Sequence, residues 1–184
     1  MLRKISQWLF KLWGFKFTGQ ISHFPRRVIF VVIPHTSNWD FPLGLVCRSA
    51  LGERIRFIGK DTLFRPPFGA IFRWLGGYPV DRSKSHNYVE SVVDIFNKEK
   101  QLAIAIAPEG TRSKVDRLKT GFYFIAKSAG IPILLAKLHY PKRTLEISAP
   151  FFPTDDQEAD FAFIYEYFRG ARGKIPEKGF LYSS

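Results

Sequence analysis

His35 and Asp40, five residues apart, bracket the run His35-Thr36-Ser37-Asn38-Trp39-Asp40, which follows the apolar stretch Val28 to Ile33. An imidazole exchanges protons near neutrality, and a carboxylate on one ring nitrogen fixes its tautomer and stabilises the imidazolium. Such a pair can deprotonate a hydroxyl nucleophile. For the two side chains to meet, the chain must leave a strand and fold back. Val28 to Ile33 reads as a buried strand. Asp40-Phe41-Pro42 reads as a helix start, with Asp40 as N-cap and proline in the permissive first turn. Spacing alone leaves a second reading open, in which His35 merely ends the strand and Asp40 merely caps the helix.

Two further blocks carry polar chemistry. Pro108-Glu109-Gly110-Thr111-Arg112-Ser113 follows the apolar stretch Leu102 to Ala107, at the carboxyl end where open α/β sheets place ligands. Gly110 permits close approach to the backbone. Thr111 and Arg112 offer a hydroxyl and a guanidinium to phosphate oxygens, and Glu109 can accept from a substrate or pair with an arginine. Gly76-Gly77-Tyr78-Pro79-Val80-Asp81-Arg82 joins a turn to a short strand, and Arg82 has the donors to grip a phosphate. A plain turn in the first block and a surface ion pair of Asp81 with Arg82 in the second are the alternatives. Lys84 and His86 read as solvated helix-entry residues. Ile131-Pro132-Ile133-Leu134-Leu135 carries no polar group, and lines an apolar channel or forms a core strand.

The elements around these blocks alternate, which predicts an α/β fold with a mostly parallel or mixed central sheet flanked by helices. Strands are expected at Val28 to Ile33, Ile55 to Ile58, Leu102 to Ala107, Ile133 to Leu138 and Thr144 to Ser148. Helices are expected at Phe41 to Leu51, Phe68 to Leu75, Asn87 to Lys98, Lys119 to Ala129 and Asp155 to Arg169. With 184 residues, 46% of them hydrophobic, a single domain can bury a core without staples. The lone Cys47 excludes an internal disulfide and any multi-cysteine zinc site, and its apolar neighbours mark it as a small buried hydrophobe.

A net charge of +12 and a pI near 10.0 call for an anionic partner: nucleic acid, a phospholipid surface or a phosphorylated substrate. No acidic residue precedes Asp40. In the first 20 residues Leu2, Ile5, Leu9, Leu12 and Trp13 recur at helical spacing, widened by Trp8, Phe10 and Phe15 and bordered by Lys4 and Lys11. This predicts an amphipathic helix lying on an anionic membrane, with residues 21–184 forming the globular domain. A helix packed on its own domain is the other reading. The segment is too short and charged to span a bilayer, which takes about 20 apolar residues, and it lacks the pattern of a cleavable signal peptide.

Taken in order, His35-Thr36-Ser37-Asn38-Trp39-Asp40, Gly77-Tyr78-Pro79-Val80-Asp81-Arg82, Pro108-Glu109-Gly110-Thr111-Arg112-Ser113 and Gly130-Ile131-Pro132-Ile133 resemble the four motifs of the glycerolipid (lysophosphatidic acid) acyltransferase family. They extend over most of the chain. The resemblance implies an enzyme on the cytoplasmic face of a membrane, moving a fatty acyl group from an acyl-CoA or acyl carrier protein thioester to a lysolipid hydroxyl. It makes His35 the general base and Asp40 its orienting carboxylate. Arg82, Glu109, Gly110, Thr111 and Arg112 become binders of the acceptor or its phosphate, and the last motif lies near the acyl chain. It requires no cofactor beyond the thioester cosubstrate.

The chain is short for that family, shows no transmembrane hairpin, and carries Val80-Asp81-Arg82 where relatives often differ before the arginine, so the acceptor stays open. A basic nucleic-acid-binding protein accounts for the charge but not for the ordered blocks. A catalytically silent membrane-binding relative is the remaining alternative, against which the complete His35 and Asp40 pair argues.

Overall fold

The computed structural model describes residues 2–80 and 85–180, with 85–87 described by backbone alone. Asp81, Arg82 and Lys84, and the His86 side chain, therefore lie outside the described residues. In chain order the elements are α1 (Leu2–Leu12), β1 (Lys16–Gly19), β2 (Arg27–Ile33), α2 (Asp40–Leu51), β3 (Ile55–Lys60), α3 (Gly69–Trp74), β4 (Gly77–Val80), α4 (Ser85–Lys98), β5 (Leu102–Ile106), α5 (Gly121–Ala129), β6 (Ile133–His139), β7 (Thr144–Ile147) and α6 (Gln157–Phe168), with short 3-10 turns at Asp61–Phe64 and Pro176–Lys178.

The strands form one mixed sheet in the order β1-β7-β6-β2-β5-β3-β4. Every neighbouring pair is parallel except the β6–β7 hairpin. β2 lies at the centre, its edges paired to β5 (Val31 opposite Ile106) and β6 (Val31 opposite Leu135), and both its faces are packed against other elements. That burial is why β2 reads as a continuous apolar run without alternation. On one face Ile29, Val31 and Ile33 pack with Val92 and Phe96 of α4, Phe122 and Ile125 of α5, and Ile164 and Phe168 of α6. On the other, Val28 and Phe30 join Leu134 and Ile147, beside a cluster built from Phe10, Phe15, Leu43, Cys47, Ala136 and Leu138.

Several boundaries depart from the sequence expectations for local reasons. α5 starts at Gly121, two residues late, and the Lys119 N–H before it donates to the Pro108 carbonyl at 2.9 Å. α6 starts at Gln157, where the Asp156 carboxylate accepts from the Ala159 N–H at 2.9 Å. β1 carries no strand signature of its own; β7 imposes it through parallel pairing from Lys16 opposite Thr144 to Gly19 opposite Ile147.

α1 docks along α2. Ser6 and Phe10 are buried; the Ser6 hydroxyl donates to Ser49 Oγ at 2.7 Å, Gln7 donates to the Ala50 carbonyl at 3.1 Å, and the Phe10 ring stacks on Phe17 at 4.2 Å. Its apolar stripe points away, leaving Leu2 76%, Trp8 61% and Leu12 62% exposed. Among the described residues no helix is long and apolar enough to cross a membrane.

Candidate active site

β2 and β5 are parallel neighbours, so their carboxyl ends emerge on the same edge of the sheet and deliver two loops side by side. The first passes through a cis Ile33–Pro34 bond to His35 and reaches α2 at Asp40. Asp40 does not cap α2, contrary to the sequence expectation. Trp39 occupies the N-cap without a side-chain bond, and Asp40 is the first helical residue. Its carboxylate folds back because the preceding turn leaves two N–H groups without strand partners: Oδ2 accepts from the Thr36 and Ser37 N–H groups, each at 2.8 Å. The same oxygen lies 3.1 Å from His35 Nδ1, and Oδ1 accepts from the Tyr140 hydroxyl at 2.6 Å.

The Asp40 side chain is 6% exposed and that of His35 29%. Burial pushes the Asp40 carboxyl up, but the hydrogen bonds from His35, Tyr140 and Ser37 outweigh it and hold the group below its ordinary 3.8. An ionised carboxylate only accepts, so His35 must donate from Nδ1. Nε2 is then the basic nitrogen, free to take a proton from a substrate.

The second loop follows β5. Glu109, 3% exposed, lies behind the His35–Asp40 turn, where Oε2 accepts the His35 backbone N–H at 2.7 Å. It holds the histidine-bearing turn and does not line the cleft beside it. Gly110 adopts φ +67°, a conformation that favours glycine, and the Lys119 side chain crosses over it, with Cε 2.7 Å from where a Cβ would lie. Thr111 is exposed, its Oγ1 accepting the Ser113 N–H at 3.2 Å, and the Arg112 guanidinium donates to Asn38 Oδ1, tying the two loops together. His35, Asp40, Gly110, Thr111 and Arg112 thus converge and Glu109 supports them from behind, while Arg82 lies outside the described residues.

A cleft of about 1710 Å³ opens at His35, walled by Phe30, Val32 and Ala105 of the sheet and by Leu43, Gly44 and Cys47 of α2. Small-molecule pockets usually occupy about 300–1,000 Å³, so this space suits a long or composite ligand. Burial pushes the Cys47 thiol up to about 12, which leaves it an inert wall group. A smaller pocket of about 380 Å³ adjoins the 36–39 turn, closed by Arg112, Ile175 and Lys178.

The C-terminal segment straps this turn down. The Ile175 N–H donates to Thr36 Oγ1 at 3.2 Å, and a Cβ on Gly173 would fall 2.3 Å from that same oxygen. Sequence reasoning missed Tyr140, Lys178 and this strap, because none sits in a recognisable block near the site. Among the described residues no cluster of three or more histidine, cysteine or acidic side chains could hold a metal.

Burial pushes the Glu109 carboxyl up to about 7 from 4.5, only partly offset by the hydrogen bond from the His35 backbone. A group raised in the folded state stabilises the fold below its unfolded pKa, and that contribution disappears as pH rises through the folded pKa. Stability tied to Glu109 is therefore expected to fall by about 3 kcal/mol, taking 1.36 kcal/mol per unit, between pH 4.5 and 7. Glu109→Gln keeps an acceptor for His35 without the charge. Urea unfolding should find it as stable as wild type near pH 4.5 and more stable at pH 8; equal stabilities at both would refute the assignment.

The site is an α/β sheet presenting a carboxylate-held histidine and an arginine-bearing loop at one end of an apolar cleft. The chain belongs to the acyltransferase family, whose sequence pattern matches residues 15–135. It is 29% identical over 142 residues to a 1-acyl-sn-glycerol-3-phosphate acyltransferase of Haemophilus influenzae, covering 71% of this chain and 58% of that protein. It is 37% identical over 107 residues to the Salmonella typhimurium protein of the same name, covering 54% and 42%. The chain thus spans about half the length of these curated relatives. Its fold matches the crystal structure of the 1-acyl-sn-glycerophosphate (LPA) acyltransferase PlsC from Thermotoga maritima with a TM-score of 0.66 and 22% identity, covering 92% of this chain and 76% of that one.

Proposed function

We propose that this protein transfers a fatty acyl group from an acyl-CoA or acyl carrier protein thioester to the hydroxyl of a lysophosphatidate or a related lysolipid at a membrane surface. The observation that carries this reading is the His35–Asp40 pair at the mouth of the apolar cleft. His35 Nε2 takes the acceptor's hydroxyl proton, and the oxygen attacks the thioester carbonyl. The tetrahedral intermediate collapses with cleavage of the C–S bond, and the departing thiolate recovers the proton from His35. Asp40 stabilises the transient imidazolium. Thr111 and Arg112 bind the acceptor's phosphate, a role the motif also assigns to Arg82, and the apolar walls take the acyl chain. The names of the curated relatives point to lysophosphatidate as the first acceptor to try. The deciding assay is free-thiol release from both thioester donors over a panel of lysolipids in vesicles. Acceptor-dependent release is expected, and none with any pairing would refute transfer.

The membrane reading rests on charge and exposure. α1 turns Leu2, Ile5, Trp8 and Leu12 to solvent, with Lys4 and Lys11 also exposed, which suits an anionic lipid surface. A second apolar group, Leu63, Phe68, Ile71 and the 84% exposed Trp74, lies on and before α3, and Leu63 also lines the cleft. Burying one large apolar side chain is worth about 1.5–3 kcal/mol. The double substitution Trp8→Asp and Leu12→Asp is thus expected to cut flotation with anionic vesicles by at least about tenfold, one factor of ten per 1.4 kcal/mol. Unchanged flotation would remove α1 as the anchor.

A further inference from the structure

The Tyr140 hydroxyl completes the shell of donors around Asp40. Oδ2 is shared among the Thr36 and Ser37 N–H groups and His35 Nδ1, all from the same short turn. Oδ1 receives only Tyr140 among the described residues, at 2.6 Å and across 100 positions of chain. A carboxylate held on one oxygen alone can pivot about its Cβ–Cγ bond, and any pivot moves Oδ2 relative to the imidazole. A short charge-assisted bond on the second oxygen removes that freedom.

Tyr140 is itself fixed from three directions. Its N–H donates to the Arg172 carbonyl at 2.8 Å, its carbonyl accepts the Arg143 N–H at 3.0 Å, and its ring meets Phe15 edge-on at 5.5 Å and 90°. Phe15 is buried directly after α1, so the tyrosine is gripped by the N-terminal segment, the β6–β7 hairpin and the C-terminal strap. It also lies beyond residues 15–135, the span that matches the family pattern. Burial, reinforced by the Asp40 charge, pushes the phenol well above its ordinary range, so it stays a donor.

We infer that Tyr140 is a positioning residue for the acyl transfer proposed above, locking the Asp40 carboxylate in the orientation that holds His35 for proton abstraction. The inference rests on that reading for its effect on turnover, while the hold on the pair is measurable without turnover.

Tyr140→Phe removes one oxygen and keeps the ring on Phe15. Its kcat is expected to fall about tenfold or more, the range of a hydrogen bond to a charged group, with KM for donor and acceptor within about twofold, since no binding contact is lost. The low-field proton line of His35 Nδ1–H, assigned by its loss in His35→Ala, should shift or broaden. Tyr167→Phe serves as control: its hydroxyl is buried with no hydrogen-bond partner among the described residues, and wild-type kcat is expected. If Tyr140→Phe does not fold, Phe15→Leu tests the same hold by loosening the ring, with a smaller loss of kcat and the same disturbance of the line.

A wild-type kcat, or a lower kcat with an undisturbed His35 line, would overturn the inference. Failure of the wild-type protein to transfer acyl groups would instead refute the functional reading, and an undisturbed line in Tyr140→Phe would still refute the hold on Asp40.

Discussion

His35→Ala is expected to lower acceptor-dependent thiol release by about 10²–10⁴-fold, the usual contribution of a positioned general base. The imidazole is the group at the cleft mouth with a free basic nitrogen, because its Nδ1 is committed to Asp40. Little else depends on it. The side chain is 29% exposed, and its removal leaves Asp40 with donors from Thr36, Ser37 and Tyr140, so the thermal unfolding midpoint should stay close to wild type. Vesicle binding, which α1 is proposed to govern, should also persist. A fully folded His35→Ala protein releasing thiol near the wild-type rate would remove His35 as the base.

Asp40→Asn should cost nearly as much, for a different reason. An asparagine can keep its oxygen toward Thr36, Ser37 and His35 and turn its amide toward Tyr140, whose hydroxyl rotates to accept. The turn then survives with its geometry, but a neutral amide replaces the charge that stabilises the imidazolium. In a serine-protease triad the comparable substitution costs about 10⁴ in kcat by imposing the wrong tautomer; with the tautomer kept and only the charge lost, a fall of about 10² or more is expected here with KM little changed. Purified Asp40→Asn protein assayed at saturating donor and acceptor checks this. Activity within about tenfold of wild type would mean that Asp40 shapes the turn without supporting the proton transfer.

The two substitutions separate the parts of one device. Loss in both points to a base that works only when its carboxylate is charged. Loss in His35→Ala alone leaves the turn as Asp40's whole contribution, carried by the two backbone N–H groups it binds.

The sequence by itself determined the pairing of His35 with Asp40 and its local frame. β2 is apolar without alternation because both its faces are covered, and that run marks where His35 emerges. The five-residue spacing to Asp40 is local, so one turn suffices to close it, and the loop after β5 is legible for the same reason. What residue types could not reveal is which distant groups arrive. β1 is a strand only because β7 pairs with it, and Glu109 looks like a substrate ligand until the adjacency of β2 and β5 buries it under the His35 N–H. Arg112 finds Asn38 across the same strand boundary, and Gly173 is needed because the C-terminal strap crosses Thr36. Tyr140 reaches Asp40 because β6 lies beside β2, an adjacency set by the crossovers that build a parallel sheet. Periodicity records which face of an element is buried. Partners far along the chain follow from the order of strands, which only the assembled sheet decides.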